Sequence, residues 1–143
     1  AASGTRRDVR SRRWWTCSRS CPRPGIVGID VDLTVQGSLI GLTASGPDLF
    51  GDGIAIVSEL EISRLSLQGS RITDSARAGL AVFGGEATMA GTAISCADIS
   101  ISARPHAGHS PALQDGGGNL CGCPEPNEGC IASSTGISPP GQQ

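Results

Sequence analysis

Apolar and polar residues alternate along short stretches of the chain between residues 25 and 103. Because successive side chains of a β-strand point to opposite faces, this alternation predicts strands with one buried face. Glycine, or a Gly-Ser pair, stands between many of these stretches and supplies the backbone freedom that a corner requires. No apolar stripe at helical spacing extends beyond two turns. The pattern therefore predicts an all-β fold.

Two motifs repeat within this range. The first has the order apolar, hydroxyl, apolar, any, glycine, Ser or Thr, any, isoleucine, and it spans residues 33–40, 65–72 and 87–94. The second has the order glycine, apolar, any, apolar, and it spans residues 28–31, 53–56 and 79–82, with a degenerate copy at 98–101. Short strands joined by corners at such a period predict one coil of a parallel β-solenoid per repeat. Its coils would stack at about 4.8 Å, so that equivalent residues form columns.

Aligning the repeats predicts four inward columns that build the core. These columns are Leu33/Leu65/Ala87, Val35/Leu67/Met89, Ile40/Ile72/Ile94 and Ile29/Ile54/Leu80/Ile99.

The order G-[IL]-x-[VI] followed by L-x-V-x-G-[ST]-x-I resembles the right-handed parallel β-helix proteins of the pectate-lyase-like superfamily. The resemblance covers residues 25–103 and implies architecture rather than chemistry, because that superfamily includes lyases, glycoside hydrolases and adhesins. We expect about three to four coils, in a member or a fragment of such a protein. An antiparallel β-sandwich is the alternative, since it also has short strands separated by turns.

Charge divides the chain unevenly. Residues 1–23 carry seven arginines and one aspartate, net +6, while residues 24–143 carry four arginines and twelve acidic residues, net −8. Like charges repel and the first segment lacks an apolar period, so we expect residues 1–24 to be disordered. Residues 104–143 are rich in Gly, Pro and Cys, which predicts a loop or tail. Residues 25–103 would form the β-helix.

Several functional classes are not expected. An arginine-rich disordered end forms no shaped groove, so Trp14 and Trp15 do not lead us to expect a nucleic-acid partner. No stretch approaches the roughly 18 apolar residues of a membrane span. Neither end of the repeats shows a polar cap, so we expect further β-helix coils in the full-length protein.

The cysteines predict disulfides and an oxidising compartment, because an even number occurs in a lysine-free, glycine-rich chain. They are Cys17, Cys21, Cys96, Cys121, Cys123 and Cys130. A zinc site built from the last three with His106 or His109 is the rival. Structural zinc prefers C-x2-4-C, and C-x-C is shorter, so we predict no metal site and two solvated loop histidines.

Catalytic candidates are few. Arg64, Arg71 and Arg77 lie near Asp52, Glu61 and Asp74 in the sequence, and Asp74 and Asp98 follow strands that the repeats make equivalent. Resemblance to pectate-lyase-like enzymes implies acidic calcium ligands beside an arginine. That family also has an Arg-x-Pro element and a second arginine. In Arg104-Pro105 the proline follows the arginine directly, and the second arginine is missing. One acidic residue per coil is common at solvent-exposed corners and does not by itself indicate a catalytic site. The alternative function is nevertheless a fragment of a carbohydrate-active enzyme, with its catalytic coils missing or around Arg71, Asp74 and Asp98, and calcium as its cofactor.

A column of hydroxyl side chains, Thr34, Ser66 and Thr88, is predicted to face outward between the inward residues. Such a column could contact sugars, or ordered water as in ice-binding solenoids. We therefore expect a non-catalytic, secreted or cell-surface β-helix module, structural or adhesin-like, with polysaccharide or a cell-surface molecule as its candidate partner.

Overall fold

The computed structural model describes residues 25–43, 45–46, 49–50 and 52–133, together with two preceding strands. All regular structure in these ranges is β. The strands are β1 (Arg6–Val9), β2 (Arg13–Thr16), β3 (Ile26–Ile29), β4 (Asp32–Gln36), β5 (Leu39–Thr43), β6 (Ser45–Gly46), β7 (Leu49–Phe50), β8 (Ile54–Val57), β9 (Arg64–Gln68), β10 (Arg71–Ser75), β11 (Ala78–Phe83), β12 (Glu86–Ala90), β13 (Ala93–Ser95), β14 (Ile99–Arg104), β15 (Ala112–Asp115), β16 (Leu120–Gly122) and β17 (Ala132–Ser133).

Fifteen of these strands stack in three sheets, and β6 pairs antiparallel with β7 in a separate two-stranded sheet. Sheet 1 has the order β2-β3-β8-β11-β14-β17, sheet 2 the order β1-β4-β9-β12-β15, and sheet 3 the order β5-β10-β13-β16. The chain passes from sheet 1 to sheet 2 to sheet 3 and repeats this course over coils 1 to 4, which begin at β3, β8, β11 and β14. Every pairing between coils is parallel. This is the arrangement of a parallel β-helix and not that of an antiparallel sandwich.

Three of the four predicted core columns are confirmed by the strand register. Leu33, Leu65 and Ala87 are partners in sheet 2, as are Val35, Leu67 and Met89. Ile40, Ile72 and Ile94 are partners in sheet 3, and Cys121 continues that column. All these side chains are buried in one cluster that fills the interior of the coils.

The fourth column, in sheet 1, is correct for Ile54 and Leu80 and wrong for Ile29 and Ile99. Its true members are Ile26, Ile54, Leu80 and Ile101, whereas Ile29 lies opposite Val57 and Ile99 opposite Ala78. Strands β3, β8 and β11 are buried on both faces, so their sequences lack the alternation that would set the register. The residues on their outer face form a second buried cluster that includes Val27, Val57 and Phe83.

The corner between sheets 2 and 3 explains the glycine-hydroxyl element of the repeat. Gly37, Gly69 and Gly91 have φ values of 55°, 56° and 57°, a left-handed conformation that favours glycine. The next position in each coil is a buried polar residue, namely Ser38, Ser70, Thr92 and Asn119. These side chains bond between coils: the Ser38 N–H donates to Ser70 Oγ at 3.2 Å, and the Thr92 N–H donates to Asn119 Oδ1 at 3.0 Å. A buried polar ladder thus holds this corner.

Both ends contain strands where the sequence predicts no packed elements. In the segment expected to be disordered, β1 and β2 pair antiparallel with β4 and β3 at the edge of coil 1. An edge strand offers main-chain hydrogen-bonding groups to any partner, whatever its side chains, so the composition of the partner does not reveal the pairing. In the predicted tail, β15, β16 and β17 continue the three sheets beyond residue 103.

Candidate functional site

The outer face of sheet 2 carries the predicted hydroxyl column, which we call the hydroxyl face. Thr34, Ser66 and Thr88 are direct strand partners, and Gln114 follows Thr88 in the next coil. The alternate residues of these strands point into the core, which turns the hydroxyls outward. The three hydroxyl side chains are half-buried, and Gln114 is exposed. Thr88 Oγ1 lies 3.4 Å from Gln114 Oε1.

Two further columns flank the hydroxyls. Asp32, Arg64 and Glu86 are strand partners on one side, with Arg64 Nε donating to Glu86 Oε2 at 3.0 Å and Nη1 lying 3.8 Å from Asp32 Oδ1. About half of each of these side chains is exposed, so the ion pairs add little stability. On the other side Gln68 Nε2 donates to Ser66 Oγ at 3.4 Å. Hydroxyls and charged column together line a shallow depression of about 240 Å³.

This arrangement presents a row of hydrogen-bonding groups. Hydroxyl and amide groups both donate and accept, as sugar hydroxyls require of a partner. The carboxylates of Asp32 and Glu86 both face the Arg64 guanidinium. Gln114 was missed by the sequence analysis because it lies in the predicted tail. The alternation of Ala112-Leu-Gln-Asp115 is the signal that could have found it.

The catalytic candidates Arg71, Asp74 and Asp98 are all exposed. Thr73 lies opposite Ser95, so the residue equivalent to Asp74 is Cys96 and not Asp98. The two strands concerned, β10 and β13, are partners in sheet 3, as the repeats predict. Asp98 comes two residues after Cys96, just before β14 begins.

A buried ion pair lies at the corner between sheets 3 and 1. Arg77 Nε donates to Asp52 Oδ1 at 2.9 Å and Arg77 Nη2 donates to Oδ2 at 2.6 Å, while the Ala78 N–H donates to Oδ1 at 3.0 Å. The Asp52 side chain is fully buried. Burial raises the pKa of the Asp52 carboxyl, and the hydrogen bonds and charge of Arg77 oppose that shift. The pair joins coils 2 and 3 and is structural.

Two disulfides are present among the described residues, one joining the predicted β-helix to the predicted tail and one within that tail. Cys96 and Cys123 occupy equivalent positions of coils 3 and 4, because Ser95 lies opposite Gly122, and their Cα atoms are 4.6 Å apart. Cys121 bonds to Cys130, which packs against the core. Disulfides are thereby confirmed for four of the six predicted cysteines and are compatible with an extracellular location. Cys17 and Cys21 lie outside the described residues.

The two histidines form a backbone turn. The N–H of His106 donates to the carbonyl of His109 at 3.0 Å, and the N–H of His109 donates back at 2.9 Å. The cysteines proposed for the zinc alternative are in disulfides. Across the described ranges, no group of three or more His, Cys, Asp or Glu side chains is placed to hold a metal ion.

In the described part of the chain there is no helix of the length and hydropathy needed to cross a bilayer. Comparison of the chain with protein families, with curated proteins and with solved structures finds no match.

Proposed function

We propose that this chain is a non-catalytic, secreted or cell-surface β-helix module that binds polysaccharide through the hydroxyl face. The observation that supports the proposal is the register of Thr34, Ser66, Thr88 and Gln114, which repeats a hydrogen-bonding group once per coil over four coils. The coil spacing of about 4.8 Å gives a regular array along the axis, which suits a ligand that is itself a repeat.

The proposal also includes the finer assignment of the fold. The repeated motif resembles the pectate-lyase-like superfamily, and parallel crossovers in one sheet are right-handed in the great majority of proteins. A right-handed coil is therefore proposed. Two disulfides support a secreted location, since such bonds persist in oxidising compartments.

Charge favours a neutral polysaccharide over a polyuronate. The charged column beside the hydroxyls has two carboxylates, Asp32 and Glu86, against one guanidinium, Arg64. An anionic chain would meet net repulsion there. Tyrosine is absent and only two Trp and two Phe occur in the chain, so affinity rests on hydrogen bonds rather than on stacking. Each such bond contributes only about 0.5–1.5 kcal/mol, and tight binding therefore requires several sugars at once.

The enzyme alternative, with calcium as its cofactor, has less support. It needs two or three carboxylates, or an arginine beside acidic calcium ligands, in one place. Arg71, Asp74 and Asp98 are all exposed, and Asp98 is offset by two residues from the position equivalent to Asp74.

The test is affinity electrophoresis of the full chain in gels containing soluble β-glucan, xylan or polygalacturonate. A triple variant, Thr34→Val, Ser66→Ala and Thr88→Val, removes the hydroxyls with little change of shape. Thr73→Val with Ser95→Ala is the matched control, because these residues are strand partners on the outer face of sheet 3. We expect retardation by a neutral polysaccharide that the triple variant loses and the control keeps.

Equal retardation of the triple variant and the wild type would contradict the proposal, as would binding of polygalacturonate alone. Release of unsaturated or reducing-end products by the wild type would establish the enzyme alternative instead. Growth inhibition of ice crystals without polysaccharide binding would assign the hydroxyls to ordered water.

A further inference from the structure

A second groove lies at the corner between sheets 1 and 2, next to the charged column of the hydroxyl face. It has a volume of about 500 Å³, and its lining includes the apolar Leu60 and Ile62, the acidic Asp30, Asp32 and Glu61, and also Arg64 and His109. The groove lies beside the loop of residues 58–63, which connects β8 to β9. In coil 1 the same corner needs only two residues, so this loop is an insertion into the repeat.

Hydrogen bonds hold the inserted loop in one conformation. The Asp30 carboxylate accepts from three consecutive N–H groups, those of Glu59 at 2.7 Å, Leu60 at 3.0 Å and Glu61 at 3.2 Å. Two buried serines close the base of the loop, with the Ser63 N–H donating to Ser58 Oγ at 2.8 Å. The loop is therefore ordered before any partner arrives, which lowers the entropic cost of binding.

The corner of coil 3 keeps both sides of the groove close together. It consists of Gly84 and Gly85 alone, and a Cβ on Gly84 would lie 2.8 Å from the carbonyl oxygen of His106. A Cβ on Gly85 would lie 2.7 Å from the carbonyl oxygen of Ser63. The histidine turn of coil 4 and the loop of coil 2 thus both pack on a corner that has no side chains.

The groove presents apolar groups between carboxylates. Leu60 is 80% exposed and Ile62 39% exposed, although the backbone around them is fixed. Single exposed leucines are common on protein surfaces, but this one is held out by a hydrogen-bonded loop. Glu61 lines the groove and Glu59 precedes Leu60 in the loop, and neither forms an ion pair with another described residue. The nearby Arg64 is already engaged by Asp32 and Glu86.

We propose that this groove docks an extended cationic peptide segment of a partner protein, one in which basic and apolar side chains alternate. Leu60 and Ile62 contact the apolar side chains, and the carboxylates of Glu59 and Glu61 pair with the basic ones. The choice of partner follows from charge complementarity, since a neutral apolar segment would leave both carboxylates desolvated without a counter-charge.

The test measures fluorescence anisotropy of labelled octapeptides on the full chain. The probes are an alternating Arg-Leu peptide, an Arg-Ser peptide with the same charge, and a Glu-Leu peptide with the same apolar content. We expect binding of the Arg-Leu peptide only, weakened on raising NaCl from about 50 mM to about 300 mM.

Variants locate the site. Leu60→Ala weakens binding of the Arg-Leu peptide about tenfold, because most of a buried leucine side chain is lost from the contact. Glu59→Gln with Glu61→Gln weakens it about fivefold. Matched controls are Ile131→Ala, an equally exposed residue on another coil, and Glu125→Gln; neither changes binding. All these side chains lie at the surface, and equal melting temperatures verify that each variant is folded.

Asp30→Ala tests the role of the loop conformation. It weakens binding and also accelerates hydrogen exchange of the amides of Glu59, Leu60 and Glu61, while Leu60→Ala leaves their exchange unchanged. If the Arg-Ser and Arg-Leu peptides bind equally well, the net negative charge of the protein explains the binding and the proposal is overturned. Unchanged affinity of Leu60→Ala, or no binding of the Arg-Leu peptide, would also overturn it.

Discussion

Replacing Arg77 by methionine tests the ion pair that joins coils 2 and 3. Methionine preserves much of the apolar stem of arginine and removes the guanidinium. Among the described residues, the Asp52 carboxylate would then keep only the hydrogen bond from the Ala78 N–H, at 3.0 Å. Because Asp52 is completely buried, no solvent is available to replace the lost partner.

The expected loss follows from the geometry. Arg77 makes two charge-assisted hydrogen bonds, of 2.9 Å and 2.6 Å, to the buried carboxylate. Removing one member of a buried pair costs about 3–5 kcal/mol. Since 19% of the Arg77 side chain is exposed, some of its interaction is already screened, and we expect about 3 kcal/mol. Such a loss is a large share of a typical domain stability of about 5–15 kcal/mol.

The pH dependence has a definite sign. Burial raises the pKa of folded Asp52 above its ordinary value. The stability linked to this carboxyl is therefore fully present below the unfolded pKa of about 3.9 and is lost as the pH rises through the folded pKa. In Arg77→Met the folded pKa rises further, because the group that opposed the shift is gone. The variant should therefore recover part of its stability relative to wild type when Asp52 is protonated.

Urea unfolding, followed by circular dichroism at about pH 7.5 and about pH 4.5, measures both effects. The control is Arg64→Met, which breaks ion pairs whose side chains are about half exposed and should cost less than about 1 kcal/mol. The reasoning is refuted if Arg77→Met and Arg64→Met lose the same stability, or if the deficit of Arg77→Met does not shrink at the lower pH.

Two further predictions concern the core and the last coil. Ile72→Asp places an unpaired carboxylate in a fully buried column and should unfold the coils, whereas Arg71→Asp, on the exposed side of the same strand, should leave the thermal midpoint nearly unchanged by calorimetry. Replacing Cys96 and Cys123 together by serine opens a cross-link between residues 27 apart. It should lower the free energy of unfolding by about 3–4 kcal/mol in urea titrations, and equal stability of variant and wild type would contradict the assigned bridge.

The success of the sequence analysis depended on whether a strand has one solvated face. In sheets 2 and 3, apolar residues alternate with polar ones and a Gly-Ser or Gly-Thr pair marks the corner, so the partners of Leu67 and Ile72 could be identified in advance. In sheet 1, Ile54, Ala55, Ile56 and Val57 are all buried. Such a strand has no alternation to align, and Gly28 was taken for the equivalent of Gly53, a position that Gly25 occupies.

Sequence analysis predicted only part of the chemistry of the site. The hydroxyl column of Thr34, Ser66 and Thr88 follows from local periodicity, and the structure places it as expected. The hydrogen bonds between Arg77 and Asp52 join residues that are 25 apart in the sequence. The hydrogen bond from the Leu60 N–H to Asp30 joins residues that are 30 apart. These contacts depend on which corners of neighbouring coils lie next to each other, and a local sequence pattern does not show this.

By itself, the sequence determined the all-β class, the repeat, the corners between sheets 2 and 3 and most of the core, because each follows from the two-residue period of a strand and the freedom of glycine. Only the tertiary structure decided the register of sheet 1, the pairing of β1 and β2 with the edge of coil 1, the strands β15 and β16 that complete coil 4, the pairing of the cysteines, and the groove beside Leu60. Each of these depends on how distant segments meet once the coils have stacked. Such contacts are set by position in space rather than by neighbours along the chain.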